Sequence, residues 1–304
     1  MLIWISVFIV SMLVLIKAAD YFTEKAEKIG LFIGMSPLIV GVTIVALGTS
    51  LPELATSYIS VGKGISEVVL ANVVGSNIAN IFLVLGISAI VAKKILSSKE
   101  CLLDNQMVML FAAVVISIIT AYDGVVTSTE GIFLLLAYIP VLWSAFSFKN
   151  GNEKGVKREL KFLDILILLI AAVGIYFGAK YTIEALIELG NIFNIPESLI
   201  ALTAVALGTS LPEVVVSAVA AYRGKGALAF GNIVGSCLFN ITVVPGLLAL
   251  GSNLVVSIDT ITIGLPAMLI ATFIYLFVAI KRDMSRPEGA IFLLMYIFYI
   301  YLLV

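Results

Sequence analysis

Two stretches of this chain are identical over nine residues. Val45–Glu53 and Val205–Glu213 both read Val-Ala-Leu-Gly-Thr-Ser-Leu-Pro-Glu, 160 positions apart. In each, a carboxylate (Glu53 or Glu213) follows a Gly-Thr-Ser-Leu-Pro run inside an apolar segment. Proline brings no backbone donor and crowds the turn before it, so carbonyls that a regular helix would pair are released. The carbonyls of Ala46, Thr49, Ala206 and Thr209 are the candidates. A second pair repeats at the same offset: Asn72–Asn80 reads Asn-Val-Val-Gly-Ser-Asn-Ile-Ala-Asn, and Asn232–Asn240 reads Asn-Ile-Val-Gly-Ser-Cys-Leu-Phe-Asn. Ser76 and Asn80, like Ser236 and Asn240, stand four residues apart and therefore on one helix face.

Carboxylates together with hydroxyl, amide and backbone oxygens make a hard, all-oxygen cation site. Ca²⁺ takes about 6–8 such oxygens in flexible geometry, whereas Mg²⁺ demands octahedral order and keeps several waters. Sodium suits the same donors. With no His and only two Cys in the chain, a zinc or copper site is disfavoured. Two negative charges balance one divalent ion or more than one monovalent ion, so two kinds of cargo would compete for the pair. In a water-soluble protein, Ser50-Leu-Pro-Glu53 would read simply as a capping box that opens a helix, and a helix start at Ser50 is expected here too, beside any ion-binding role. Small residues and Asn in an apolar helix would likewise read as packing.

The solvent decides between these readings, and it is lipid. Of 304 residues, 62% are hydrophobic and 12% charged, with mean hydropathy +1.18, which leaves too little polar surface to coat a soluble globule. Apolar stretches at about 2–27, 36–62, 67–93, 103–121, 126–147, 162–188, 196–222, 227–252, 258–280 and 287–304 approach the roughly 20 residues a helix needs to cross a bilayer. The short alternating segments of a membrane barrel are not seen. All but two of the 18 basic residues, Lys63 and Lys180, then fall on one side, so the excess of cytoplasmic positive charge puts the termini outside. An acidic residue at the membrane centre costs roughly 3 kcal/mol even on lenient scales. Two of them, with no central Lys or Arg, require ions to neutralise them.

The common offset of 160 makes the chain a duplication. Residues 1–148 hold five spans, 149–161 form a short basic cytoplasmic linker, and 162–304 hold five more. An odd number of spans per copy inverts the second copy, so the expected fold is an all-α integral membrane protein of ten transmembrane helices as two inverted five-helix repeats. Inverted repeats place substrate sites near the midplane and permit opening to either side in turn. Cys101 at a span end and Cys237 within a span are expected to be free thiols. The first span is expected to be retained, not cleaved as a signal. A net charge of −1 gives no reason to expect a nucleic-acid partner, and a monomer in the lipid bilayer is expected.

The paired Gly-Thr-Ser-Leu-Pro-Glu and Gly-Ser-x-x-x-Asn motifs resemble the two alpha repeats of the calcium/cation antiporter superfamily, most nearly prokaryotic sodium/calcium exchangers. The resemblance covers both halves. It implies sodium/calcium antiport in the cell membrane, with no enzymatic activity and no cofactor beyond the transported ions. Carried over by position, it implies calcium held centrally by Glu53, Glu213 and the Thr49 and Thr209 carbonyls. One sodium site would use the Ala46 carbonyl, Thr49, Glu53 and Ser236, and its mirror the Ala206 carbonyl, Thr209, Glu213 and Ser76. Asn80 and Asn240 would complete the centre. The potassium-dependent branch typically has Asp at one of these two positions, and this chain has Asn at both. The runner-up reading is a calcium/proton antiporter, in which the carboxylates take protons. A cation channel would need no counter-ion, and an intramembrane hydrolase would use an Asp pair or a Ser with a base.

Overall fold

The computed structural model describes residues 1–93, 96–97, 104–147, 160–193 and 209–303. Among them run ten helices: α1 (Leu2–Phe32), α2 (Pro37–Gly62), α3 (Glu67–Val91), α4 (Asp104–Ala121), α5 (Ser128–Ser147), α6 (Phe162–Ile192), α7 (Leu211–Tyr222), α8 (Gly226–Ala249), α9 (Thr260–Lys281) and α10 (Arg286–Leu303). Seven are long and apolar enough to cross a membrane; α4, α5 and α7 are apolar over shorter lengths. This is a helical, membrane-type fold. Cys237 is free and buried, while Cys101 and Ala206 lie outside the described residues.

The helices divide into a core and a flank. In its most apolar window α8 is 89% buried and α3 72%, whereas α1 and α6 are 22% and 28% buried. Each of the latter pair is 31 residues long, about 46 Å at 1.5 Å per residue, and they pack along each other. Small residues permit the approach: a Cβ on Gly178 would come within 2.9 Å of the Leu15 Cβ, and one on Gly174 within 3.0 Å of the Ala18 Cβ. The Thr182 hydroxyl adds a bond to Ser11 at 2.9 Å. Both helices run four to five residues past their expected ends.

Two residue-pair ribbons, too short to announce themselves in sequence, tie the loops. Strand β1 (Leu96–Ser97) pairs antiparallel with β4 (Asp283–Met284), and β2 (Val125–Val126) with β3 (Leu254–Val255).

The expected helix start at Ser50 is corrected by the structure. α2 runs straight through it, with Ser50 buried and Pro52 in the helix interior. Helix is held upstream because Leu38–Val42 is buried against α8, and this packing outweighs the one backbone bond that Pro52 cannot make to Gly48. In the second copy Ser210 does precede α7, with Pro212 and Glu213 in the first turn, yet its hydroxyl makes no capping bond. No capping box forms in either copy.

Candidate ion-binding site

Crossing of α2 and α8 builds one side of the site. A Cβ on Gly231 would lie 3.0 Å from the Gly41 Cα, and one on Gly235 would lie 2.6 Å from the Val42 Cα and 2.7 Å from the Ala46 Cβ. Backbone therefore meets backbone, which brings Asn232 and Ser236 to Thr49. Gly235→Ala is expected to force the helices apart at a cost of about 1–3 kcal/mol, read as a lowered Tm, and to weaken ion binding with it.

The fully buried Thr49 hydroxyl lies 3.2 Å from the Asn232 Oδ1, 3.3 Å from the Ser236 Oγ and 3.3 Å from the Ala46 carbonyl. The second copy repeats this. Thr209 donates to the Asn72 Oδ1 at 3.2 Å and sits 3.3 Å from the Ser76 Oγ. Each threonine thus meets the Asn-Ser pair of the other half. Asn232 in turn donates to Ser217 at 2.9 Å.

Between these clusters lie the carboxylates. Glu53 and Glu213 are each 0% exposed. Ser50 donates to the Glu213 Oε1 at 3.0 Å, and Ser50 is one helical turn before Glu53, which sets the two acids within about one turn of each other. The other Glu213 oxygen and both Glu53 oxygens have no donor among the described residues, nor do the side-chain amides of Asn80 and Asn240, all buried. Buried polar atoms are paired almost without exception in folded proteins. Single hydroxyls and amides elsewhere among the described residues, such as Ser88, Gln106 and Tyr138, are unpaired too. Three carboxylate oxygens with the amide oxygens of Asn80 and Asn240, whose turns pack on α7 and α2, nonetheless form a donor set suited to a cation.

Backbone irregularity marks the same place. α2 widens to a π-helical turn at Gly41–Val45, overlapping the start of the first motif, α3 at Asn80–Val84, and α8 at Phe239–Val243, around Asn240. A fourth such turn, Thr260–Gly264 in α9, lies on the wall of a cavity. Such turns gather at functional sites because they interrupt the regular carbonyl pairing. α3 and α8 are joined one turn earlier: Asn77 donates to the Cys237 carbonyl at 3.3 Å, and the Cys237 thiol lies 3.9 Å from the Asn77 carbonyl.

The structure joins Thr49, Ala46 and Ser236, and Thr209 and Ser76, around Glu53 and Glu213, and sets Asn80 and Asn240 in turns that pack on α7 and α2. Ala206 alone of the expected residues is not described. Sequence reasoning passed over Ser50, Asn72 and Asn232 as site residues. Their signal was available, since each stands inside a duplicated motif. A cavity of about 550 Å³ reaches the region from one end of the bundle, where Thr56, Asn72, Ser76, Thr209, Asp259 and Tyr299 line part of its wall.

Apolar helices around a fully buried pair of carboxylates define a membrane transporter for cations. A family model described as sodium/calcium exchanger protein matches residues 3–147 and 163–304. The chain belongs to the sodium/calcium exchanger family. It is a multi-pass membrane protein and an antiporter, not an enzyme. Sodium/calcium exchanger MaX1 of Methanosarcina acetivorans is 31% identical over 98% of this chain and 97% of its own. Inner membrane protein YrbG of Escherichia coli is 32% identical over 82% of this chain and 80% of its own. The structure of the sodium-calcium exchanger NCX_Mj soaked with zero Na⁺ and Ca²⁺ superposes with TM-score 0.86 at 27% identity, covering 99% of both chains.

Proposed function

We infer that this protein exchanges sodium for calcium across a prokaryotic plasma membrane by alternating access. One observation carries the reading: two fully buried carboxylates with leftover oxygens, flanked by two equivalent Thr-Asn-Ser clusters. Calcium is held centrally by Glu53, Glu213 and the Thr49 and Thr209 carbonyls. Sodium ions occupy the flanking clusters, one with Ala46, Thr49, Glu53 and Ser236, the other with Ala206, Thr209, Glu213 and Ser76. Asn80 and Asn240 complete the centre. Because both cargoes need the same carboxylates, the pair crosses the membrane neutralised by one or the other. The ions are substrates, no cofactor takes part, and the chain works as a monomer.

The carrier is read as inverted repeats, 1–148 and 162–304, joined by the 149–161 linker, with both termini outside. The exchange of partners between halves supports this, since swapping the copies maps the β1–β4 ribbon onto β3–β2. With that orientation the 550 Å³ cavity opens to the outside. α1 and α6 are the sliding pair, as their peripheral position and small-residue contact suit.

The test is radioactive calcium uptake into sodium-loaded proteoliposomes, at clamped pH with a protonophore. Uptake that follows the outward sodium gradient supports the reading. Uptake that ignores sodium and follows an imposed pH gradient, once the protonophore is removed, overturns it in favour of proton exchange. Ser236→Ala removes an oxygen assigned to sodium alone. It is expected to raise the sodium concentration for half-maximal exchange roughly tenfold, the scale of one hydrogen bond to a charged group, while calcium/calcium exchange continues. Equal loss of both would remove the distinction between flanking and central sites.

A further inference from the structure

At the end of the bundle opposite the cavity, charges tie α1 to its neighbours. Lys25 and Lys28 lie 3.2 and 2.6 Å from the Asp164 carboxylate near the start of α6, which joins the two flank helices to each other. Asp20 pairs with Arg223, Glu24 stands 3.9 Å from the same guanidinium, and Glu27 pairs with Lys225 at 2.6 Å. Arg223 and Lys225 follow α7, so these contacts fasten the flank to the core. The Lys93 ammonium 4.3 Å above the Tyr222 ring sets the end of α3 beside them, whereas the start of α3 lines the cavity at Val68 and Asn72. A 25-residue helix separates the two places by about 37 Å.

The repeat offset turns this into an asymmetry. Adding or subtracting 160 carries Asp20 to Lys180 and Arg223 to Lys63, so the closest attractive pair becomes two like charges. The longer Glu24 contact, 3.9 Å here, keeps its sign because Glu24 goes to Glu184, and Glu27 and Lys225 go to Ile187 and Ile65. Lys63 and Lys180 are exposed and make no ion pair among the described residues. In a carrier of inverted repeats, each state approximates the other with the roles of the halves exchanged. The contact Asp20–Arg223 makes here would, in the opposite state, be made between Lys180 and Lys63.

We propose that this charge asymmetry sets the resting equilibrium. The Asp20–Arg223 and Glu27–Lys225 pairs latch the state whose cavity opens at the far end, and Lys180 against Lys63 penalises its mirror. The proposal rests on the inverted-repeat, sliding-flank reading above. It assigns the bias to residues remote from every ion ligand.

Val216 tests it. It is 0% exposed, and its repeat counterpart, Thr56, lines the cavity. A cysteine there reacts with a maleimide in proportion to the minor, mirrored state. The full chain in detergent is labelled with and without Val216→Cys, the difference removing the chain's own thiols. Arg223→Glu is expected to speed labelling at Val216→Cys about two- to ten-fold, the scale of one or two partly exposed ion pairs. The swap Asp20→Arg with Arg223→Asp restores the slow rate. Lys180→Asp, which breaks no ion pair among the described residues, speeds labelling similarly by giving Lys63 a partner in the mirrored state. Unchanged labelling in both variants, or a swap that does not restore it, overturns the proposal; should Arg223→Glu fail to fold, Lys180→Asp decides alone. Labelling needs no transported ion. Loss of sodium-driven uptake with this labelling pattern intact would therefore overturn the transport reading and leave the latch standing.

Discussion

Glu53→Gln is expected to reduce sodium-driven calcium uptake by about two to four orders of magnitude, and Glu213→Gln to do the same. Both carboxylates are fully buried. Removing one charged partner from a buried, paired set costs about 3–5 kcal/mol, because the remaining charges lose their balance with no water to replace it. Gln keeps the shape and one oxygen, so the loss reports charge and not packing. The two variants are not expected to be identical. Glu213 already accepts a bond from Ser50 at 3.0 Å, a charge-assisted bond that Gln weakens to a neutral one, whereas Glu53 has no donor among the described residues. Glu53→Gln therefore perturbs the protein less in the absence of ions. Uptake in both variants within threefold of wild type would remove the carboxylates from the transport site.

Chelating calcium in sodium-free buffer is expected to lower the Tm of the wild-type protein by about 5–10 °C. An ion present at 100 times its Kd adds about 2.7 kcal/mol to the folded state, and about 1 kcal/mol moves Tm by roughly 2–4 °C in chains of some 150–250 residues. The physical source is the group of buried oxygens at Glu53, Glu213, Asn80 and Asn240, which stay unpaired and mutually repulsive until a cation gathers them. In Glu53→Gln the chelation effect is expected to shrink to within about 1–2 °C, since the ion no longer binds tightly and half of the repulsion is gone. A thermal-shift assay with and without calcium measures both proteins. An undiminished drop in the variant would mean that calcium stabilises the fold somewhere else.

Much of this architecture was legible in the sequence. Hydropathy located the described helices to within about five residues, except that the expected span 196–222 is helix only from Leu211 among its described residues, 196–208 lying outside them. A segment crossing lipid must satisfy its own backbone and be apolar over a fixed length. The oxygen ligands were legible for a related reason. An acidic residue in an apolar span is costly, and a costly residue repeated at an identical offset has a purpose. Less legible were the continuity of α2 through Ser50 and Pro52, and the π-helical turns at Gly41–Val45, Asn80–Val84 and Phe239–Val243. Local propensity argues for a break at Gly-Thr-Ser-Leu-Pro, and packing against α8 overrides it.

The sequence by itself determined the residue types of the site, their duplication and the medium in which they work. Which halves combine was an expectation carried by the family resemblance alone, and the tertiary structure decided it. Spacing alone allows Thr49 to meet Ser76 of its own repeat as readily as Ser236 of the other. In the folded protein Thr49 lies by Asn232 and Ser236, and Thr209 by Asn72 and Ser76. The reason is the close backbone crossing of α2 and α8 at Gly41, Gly231 and Gly235. Which helices touch is fixed by contacts between residues almost 200 positions apart, and local periodicity carries no record of them.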